Sequence, residues 1–419
     1  MNAHKPRRKL HYAWIVCFAC ALMFFCTCGL SLNVYPIYQP YLCSELGFSQ
    51  TQVSLLTTVR IIANMTSLMA LNVFYKKLNL RKGLLVAGII SVSSYYIFAF
   101  AKVYWMFVVG QITAGFGYGL SCMVPLSMVL EHWFVKDRTL AVSICCATSG
   151  LATIGIPGVI TASIEKIGMG NSFLVEAVLM TAMIIVSFLL LRDDPREMNL
   201  HPFGGEETVE AGQEEVRKKG LTVKELLPAY LMVVLMGGIC GTGWSCLSML
   251  VSTEGYSPAL MAVAITLAGA ALMFGKFLFG WLADRITLYT ATIWFLLVLI
   301  LGGLMLIFSG LHVVLLMAGC LVFGGAMAMI TVGQVSWTAD WVEPERRNSL
   351  KRTLSLCYTI GSMVTSIFPG IVADAVMARG EEMKRFAYIP SYIFFTFSSV
   401  LCLLIMWLTY RKLRKKNAG

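Results

Sequence analysis

Twelve long apolar stretches, separated by short polar segments, constrain what this chain can fold into. Each is close to or above the roughly 20 residues that a helix needs to cross a bilayer. Of the 419 residues, 58% are hydrophobic and 13% are charged. This composition excludes a soluble enzyme, a secreted disulfide scaffold and a disordered chain.

The sequence predicts an all-α membrane protein with twelve transmembrane helices. The predicted spans are about 12–35, 50–74, 83–101, 104–132, 139–164, 172–191, 226–252, 258–283, 288–309, 312–340, 350–377 and 387–410.

Lysine and arginine are distributed unevenly between the two sides of the predicted bundle. With the N-terminus inside, 26 of the 33 basic residues fall in inner segments and 5 in outer loops. Positive residues are retained on the cytoplasmic side, so both termini are expected in the cytoplasm. The net charge of +11 then reflects membrane topology and no nucleic-acid partner is expected. The expected location is the plasma membrane, as a multi-pass protein.

The chain is divided by one long polar segment into two halves of six helices each. The predicted units are an N-terminal half, 1–192, a cytoplasmic linker, 193–225, and a C-terminal half, 226–419. Residues of the halves match at an offset of 208, for example Gly117 with Gly325. A constant offset indicates an internal repeat, and six helices per repeat make the two repeats parallel. In such an architecture the solute site lies near the midplane between the halves.

Residues 275–285, with the sequence GKFLFGWLADR, resemble the loop signature of major facilitator superfamily transporters. The matching residues are Gly275, Gly280, Asp284 and Arg285. The resemblance implies the major facilitator fold and a conformational-switch role for this loop. The glycines would let helices approach closely. The aspartate would pair with basic residues of a neighbouring loop.

Further segments resemble a narrower branch, the monocarboxylate porters and oxalate–formate antiporters. Trp133, Phe134 and Arg138 resemble its W-F-x-x-x-R loop, and Arg346 follows Trp341 in the same way in the second half. Arg138 and Arg346 therefore join the expected switch motif.

Two more segments carry the resemblance to this branch. Residues 198–204, MNLHPFG, are similar to its G-L-x-P-x-G motif, with Asn199 in place of the first glycine. Asp374 belongs to a segment that resembles its region around the tenth and eleventh helices.

Arg60 lies near the middle of the second predicted helix. A charge at the bilayer centre costs roughly 2.5–3.5 kcal/mol on insertion scales, so such residues usually face a cavity. A buried ion pair is the alternative, but the sequence shows no carboxylate at comparable depth. Asn64 lies one turn away on the same face. Both residues are therefore candidates for binding an anion.

Lys276 lies on the eighth predicted helix, four residues before Gly280. The resemblance to the monocarboxylate branch implies that this position binds the substrate carboxylate. The alternative is a lysine that extends to the cytoplasmic interface from inside the helix end. Further candidates are polar or amphipathic residues on helices that line the cavity in this fold, although each of them could instead make a helix–helix hydrogen bond. These candidates are Asn33, Tyr35, Gln111, Gln334 and Trp337.

The resulting hypothesis is a secondary active transporter that moves a small organic anion, a mono- or dicarboxylate, by alternating access. One alternative is a transporter of the same fold for a neutral solute or drug. Another is a receptor built on a transporter fold. No nucleophile–base pair or metal set is found in the helices, so an enzyme is not expected, and neither is a cofactor. We expect a monomer.

The type of coupling is predicted from the titratable residues. Proton symport usually needs a membrane-embedded Asp, Glu or His. The sequence places Glu176 near the outer end of the sixth helix and the five histidines at helix ends or in loops. An empty site would then be strongly positive, which disfavours the return of an unloaded carrier. Anion exchange is therefore favoured over proton symport.

Overall fold

The computed structural model describes residues 11–121, 123–204 and 221–418. The basic residues of segment 1–10 and the central part of the predicted linker, 205–220, lie outside this range. The described residues are almost entirely helical, and twelve helices are long and apolar enough to cross a membrane. The predicted all-α fold is thus confirmed. We number the helices α1 to α12 in chain order: Tyr12–Leu46, Gln50–Lys77, Leu80–Phe100, Tyr104–Trp133, Leu140–Ile167, Met169–Leu190, Lys224–Thr253, Pro258–Arg285, Leu288–Ile307, Val313–Thr338, Ser349–Met377 and Glu381–Arg414.

The first helix is longer than the sequence predicted. It was expected to end at Tyr35, but it continues through a 3₁₀ turn, Tyr35–Tyr38, into a further helical segment, Gln39–Leu46. Pro36 and Pro40 lie at the first positions of these segments, where the missing N–H of proline is tolerated. As a result, Tyr38 is part of α1 and is buried within the bundle.

Irregular helical turns occupy corresponding places in the two halves. Residues Phe25–Val34 of α1 and Gly238–Thr242 of α7 are π-helical. With the repeat offset of 208, residues 238–242 correspond to residues 30–34, which lie within the first π-helical segment. Wide π turns inside membrane helices often accompany functional sites, because they change which backbone groups are paired within the helix.

The segment 198–204 packs against one end of the bundle, which we call the linker end. The Phe203 N–H donates to the Trp133 carbonyl at 2.8 Å, and the Phe203 ring packs against Trp14 and Phe134. Asn199 has a φ of +53°, in the left-handed region that favours glycine. Asparagine adopts this region more readily than most residues. Asn199 therefore meets the backbone requirement of the glycine that it replaces in the motif.

The second half holds the other described end of the linker in a related way. The Leu221 N–H donates to the Trp341 carbonyl at 2.7 Å, and Leu221 is fully buried. Trp133 and Trp341 occupy equivalent positions in the repeat. The linker is thus anchored to each half at the same tryptophan.

Glu254 follows α7 at the opposite end of the bundle, which we call the distal end. Its Oε1 accepts a hydrogen bond from Ser309, whereas its buried Oε2 has no partner. Other titratable groups near it are Tyr256, Cys320 and Tyr392. Burial raises the pKa of Glu254 to about 7, although the Ser309 hydroxyl acts in the opposite direction. The folded state therefore binds a proton more tightly here than the unfolded chain does.

This predicts a pH-dependent stabilisation by Glu254→Gln. As pH rises from about 4.5 to about 7, the unfolded chain loses the proton first, so the wild-type protein loses stability. Glutamine removes this loss. The melting temperature of the variant relative to wild type should increase by about 1–3 °C between pH 5 and pH 8 in detergent. Glu381→Gln, at an exposed position of the same end, is the control, and an equal change in both variants would contradict the prediction.

Candidate functional site

Arg60 is buried in the interior of the first half, with 5% of its surface exposed. Its guanidinium donates to the carbonyl oxygen of Ser31 and, at 3.2 Å, to the Ser31 hydroxyl. It also lies 5.6 Å from the centre of the Tyr35 ring. Its Nε has no hydrogen-bond partner. Within the described residues no carboxylate forms an ion pair with it.

The local sequence explains why Ser31 receives this contact. Ser31 lies in the π-helical segment of α1, where a carbonyl faces the N–H five residues later. That position is Pro36, which has no N–H. The Ser31 carbonyl therefore needs a donor from outside the helix, and Arg60 of α2 provides it.

Several polar atoms around Arg60 are buried without a hydrogen-bond partner. Among the described residues, these atoms are the Tyr35 hydroxyl, the Oδ1 of Asn64, and the Nε2 and Oε1 of Gln111. Gln111 of α4 lies beside the Tyr35 hydroxyl and approaches it closely, but without the geometry of a full hydrogen bond. Buried polar groups are normally paired, so a group of unpaired ones indicates a place where water or a solute completes the bonds. Arg60, Tyr35, Asn64 and Gln111, four of the candidates from the sequence, thus lie in one cluster.

Close packing of α4 on α2 holds this cluster together. Gly115 lies so close to α2 that a Cβ at this position would clash with the carbonyl oxygen of Arg60. A Cβ at Gly119 would clash with Ser67 and contact Asn64. These glycines therefore place Gln111 next to the arginine, in agreement with the packing role that small residues have in membrane helices.

Lys276 approaches the same region from the second half. It is half-buried on α8 and has no hydrogen bond or ion pair within the described part of the chain. Its ammonium group lies in the neighbourhood of Cys28 of α1 and Cys146 of α5. Cys28 also interacts with Arg60. The two cations, one from each half, are therefore both near Cys28.

The remaining binding candidates have other contacts. Asn33 donates to the Ser149 carbonyl at 3.2 Å, and its own carbonyl accepts from Trp244 at 3.2 Å, which joins α1, α5 and α7. Trp337 is fully buried, and its indole N–H donates to Thr292 at 3.0 Å. Trp337 therefore makes a helix–helix hydrogen bond and has no free donor for a solute. Gln334 is half-buried with no hydrogen bond recorded among the described residues.

The sequence analysis did not recognise Glu176 as a buried carboxylate. It is 5% exposed, and its Oε2 accepts a hydrogen bond of 2.9 Å from Tyr38. Its Oε1 has no partner. The error came from ending α1 at Tyr35, which left Tyr38 in a loop. Once α1 extends past the prolines, Tyr38 reaches α6 and the carboxylate is enclosed.

The switch motif is only partly supported by contacts. Gly275 packs directly against the backbone of Gly325 on α10, where a side chain would clash. A Cβ at Gly280 would meet no atom of the described residues within 4 Å, so the close helix packing expected at this glycine is not seen there. Asp284 is exposed and has no ion pair within the described residues, contrary to the expected pairing with a neighbouring loop.

The basic residues of the switch motif are exposed at the linker end of the bundle. Arg138 pairs with Glu131 of the preceding helix, and Arg285 stacks over Trp281 at 5.6 Å. Arg346 is exposed. Exposed pairs of this kind contribute about 0–1 kcal/mol. The contacts of the motif in this conformation are thus local, within each half.

The halves are joined at the distal end by Asp374 of α11. Its two carboxylate oxygens accept the backbone N–H groups of Gln50 and Thr51, each at 2.9 Å. These are first-turn N–H groups of α2, which have no partner inside their own helix. Tyr388 of α12 donates to the Gln50 side chain at 2.8 Å. The second half therefore caps a helix of the first, which closes this end.

We predict that Asp374→Asn loosens the distal end. The amide keeps one acceptor but loses the charge and the second hydrogen bond, each of which favours a helix N-terminus. Cys246 lies beside Tyr388 in a small cavity between the halves and reports opening. Its modification by a membrane-impermeant thiol reagent, followed by mass spectrometry, should become about tenfold faster. Glu45→Gln, exposed at the same end, should leave the rate unchanged, and equal rates in both variants would refute a role for Asp374.

Comparisons with known proteins agree with this architecture. The family described as Major Facilitator Superfamily matches residues 20–332. Probable hexose phosphate transport proteins of Chlamydia trachomatis serovar D and Chlamydia muridarum are each 24% identical over 277 residues. The match covers 59% of this chain and 59% of each relative's length.

Solved structures share the fold at low sequence identity. A bacterial homologue of the human lysosomal transporter Spinster, in an inward-facing and unoccupied conformation, has a TM-score of 0.72 at 14% identity, with 96% of this chain and 98% of that chain covered. A mutant of the nucleoside transporter NupG has a TM-score of 0.74 at 14% identity, covering 95% and 100%. A D-xylose–proton symporter has a TM-score of 0.70 at 15% identity, covering 94% and 96%.

Proposed function

The chain belongs to the major facilitator superfamily, and from this premise we propose that it is a secondary active transporter that moves a small organic anion by alternating access. The observation that carries the proposal is Arg60, a buried arginine surrounded by unpaired polar atoms of Tyr35, Asn64 and Gln111. An arginine presents several donors in a fixed planar arrangement that suits carboxylate and phosphate groups. Lys276 adds a second positive charge from the other half.

The class of anion is proposed as a mono- or dicarboxylate. The motifs of residues 133–138 and 198–204 support this, since they resemble the monocarboxylate branch. A phosphate ester has the same requirement for paired cations, and the chlamydial relatives are named as probable hexose phosphate transport proteins. Both classes therefore belong in the first binding test.

A neutral solute is the second candidate. The unpaired amide of Gln111 and the hydroxyl of Tyr35 could bind the hydroxyl groups of a sugar or nucleoside without using a charge. Two of the solved structures that share the fold are those of a nucleoside transporter and of a D-xylose–proton symporter. We favour the anion because a neutral solute would leave the Arg60 charge without a counter-charge.

The arrangement in the membrane follows the charge distribution. We propose that 1–192 and 226–419 are the moving halves, that 193–225 tethers them, and that the linker end and both termini face the cytoplasm of a cell with the protein in its plasma membrane. The closed distal end then faces outward. A monomer suffices, because the site is formed within one chain.

The proposed site predicts loss of anion binding in Arg60→Gln. Lactate, oxalate and glucose 6-phosphate are tested against glucose by thermal shift of purified protein. A ligand at about 100 times its Kd stabilises the folded state by about 2.7 kcal/mol, so at least one anion should raise the wild-type melting temperature. Arg60→Gln should abolish this rise and Lys276→Gln should reduce it.

Arg379→Gln removes an exposed arginine and serves as the matched control, with an unchanged response. Stabilisation by glucose alone would favour the neutral-solute alternative. A full anion response in Arg60→Gln would exclude Arg60 from the site.

A further inference from the structure

The Arg60 guanidinium is held by a backbone carbonyl that is open to it only because of a proline. In the π-helical segment Phe25–Val34, carbonyl groups pair with the N–H groups five residues later. For the Ser31 carbonyl that residue is Pro36, which has no N–H. Arg60 donates to this carbonyl and, at 3.2 Å, to the Ser31 hydroxyl. Pro36 therefore leaves open the acceptor that binds Arg60.

The second half provides an internal comparison. At the repeat offset of 208, Ser31, Pro36 and Arg60 correspond in that order to Ile239, Trp244 and Ala268. The Ile239 carbonyl accepts the N–H of Gly243 within its own helix. The half that lacks the proline thus pairs this carbonyl internally, and it has an apolar residue where the first half has the arginine. Proline and arginine therefore occur together in one half, and neither occurs at the equivalent position of the other.

The bond to Ser31 also decides which groups of Arg60 remain for a solute. The terminal nitrogen Nη2 is used by Ser31, whereas Nε is buried without a partner among the described residues. The ring of Tyr35, the residue directly before Pro36, lies 5.6 Å from the guanidinium. A long side chain that is already fixed loses less conformational entropy when a ligand binds to it. The Ser31 carbonyl therefore pre-organises Arg60.

We propose that Pro36 is a positioning residue of the anion site. It withholds the N–H that would pair with the Ser31 carbonyl inside α1, and it thereby fixes Arg60 in the orientation that receives the anion. The proposal rests on the proposed anion site, and Pro36 acts in it through Arg60, without a contact to the solute. With an N–H at residue 36, the helix pairs this carbonyl internally, as the second half does at Ile239, and Arg60 loses its anchor.

A double-mutant cycle between positions 36 and 60 tests this role without any ligand. Pro36→Ala supplies the missing N–H, and Arg60→Met removes the donor but keeps an unbranched side chain. In the wild-type background Arg60→Met leaves the buried Ser31 carbonyl unpaired, whereas in the Pro36→Ala background the helix pairs it. The loss of the buried charge is common to both backgrounds and cancels in the cycle.

The readout is the melting temperature of the full-length protein in detergent. Arg60→Met should lower it by at least about 2 °C more in the wild-type background than in the Pro36→Ala background. Pro40→Ala is the matched control, because Pro40 begins the next helical segment and an N–H there does not face Ser31. The effect of Arg60→Met should be the same with and without Pro40→Ala.

The anion affinity of the same variants separates positioning from a general effect on stability. Lactate, oxalate and glucose 6-phosphate are titrated, and the Kd follows from the dependence of the melting temperature on anion concentration. The Kd of Pro36→Ala should be about three- to tenfold larger than that of wild type, because Arg60 must then be ordered on binding. Pro40→Ala should keep the wild-type Kd. A merely structural role of Pro36 would change the melting temperature without anion and leave the Kd unchanged.

The outcomes distinguish this proposal from the proposed function. If none of the three anions stabilises the wild-type protein, the proposed function is wrong, and the positioning of Arg60 for an anion fails with it. If an anion binds but the cycle shows no coupling between positions 36 and 60, or if Pro36→Ala keeps the wild-type Kd, only the role of Pro36 is overturned.

Discussion

The hydrocarbon core of a bilayer offers no water to polar groups, and the rest of this structure depends on how the chain meets that constraint. Helices pair their backbone groups internally, and the described part of the chain accordingly contains twelve helices that could cross a membrane. The exception near the site is the π-helical segment Phe25–Val34, where Pro36 cannot supply the N–H that the Ser31 carbonyl would accept. Arg60 supplies it instead. The same pairing that satisfies the backbone fixes a positive charge inside the bundle.

Much of the fold could be predicted from the sequence, because membrane helices are specified by length and hydrophobicity alone. The site was predictable only in part. Four of the sequence candidates, Arg60, Asn64, Tyr35 and Gln111, lie in one cluster, and they stood out in the sequence because polar residues in apolar helices are few. The sequence does not show that the N–H of Trp337, another candidate, donates to Thr292 of a different helix. Glu176 was missed because prolines usually end helices, whereas Pro36 and Pro40 here begin new helical segments.

The two ends of the bundle differ in how the halves are joined. At the distal end, Asp374 caps α2, and the first half therefore depends on the second for part of its helix capping. At the linker end, Arg138 pairs with Glu131 inside its own half, and Asp284 has no ion pair among the described residues. Among the described residues, the cap on α2 therefore joins the two halves at the distal end, whereas the Arg138–Glu131 pair at the linker end lies within one half. Opening the distal end requires new partners for the first-turn N–H groups of α2, and water can provide them.

Binding of a solute can favour such a rearrangement only if the solute interacts differently with the two conformations. The positions of the cations provide a means for this. Arg60 belongs to the first half and Lys276 to the second, and both lie in the neighbourhood of Cys28. An anion between them attracts both halves, which favours their approach around the site. Without an anion, the two positive charges repel each other. In the proposed mechanism, the anion therefore has a higher affinity for the conformation that brings Arg60 and Lys276 together, and its binding favours that conformation.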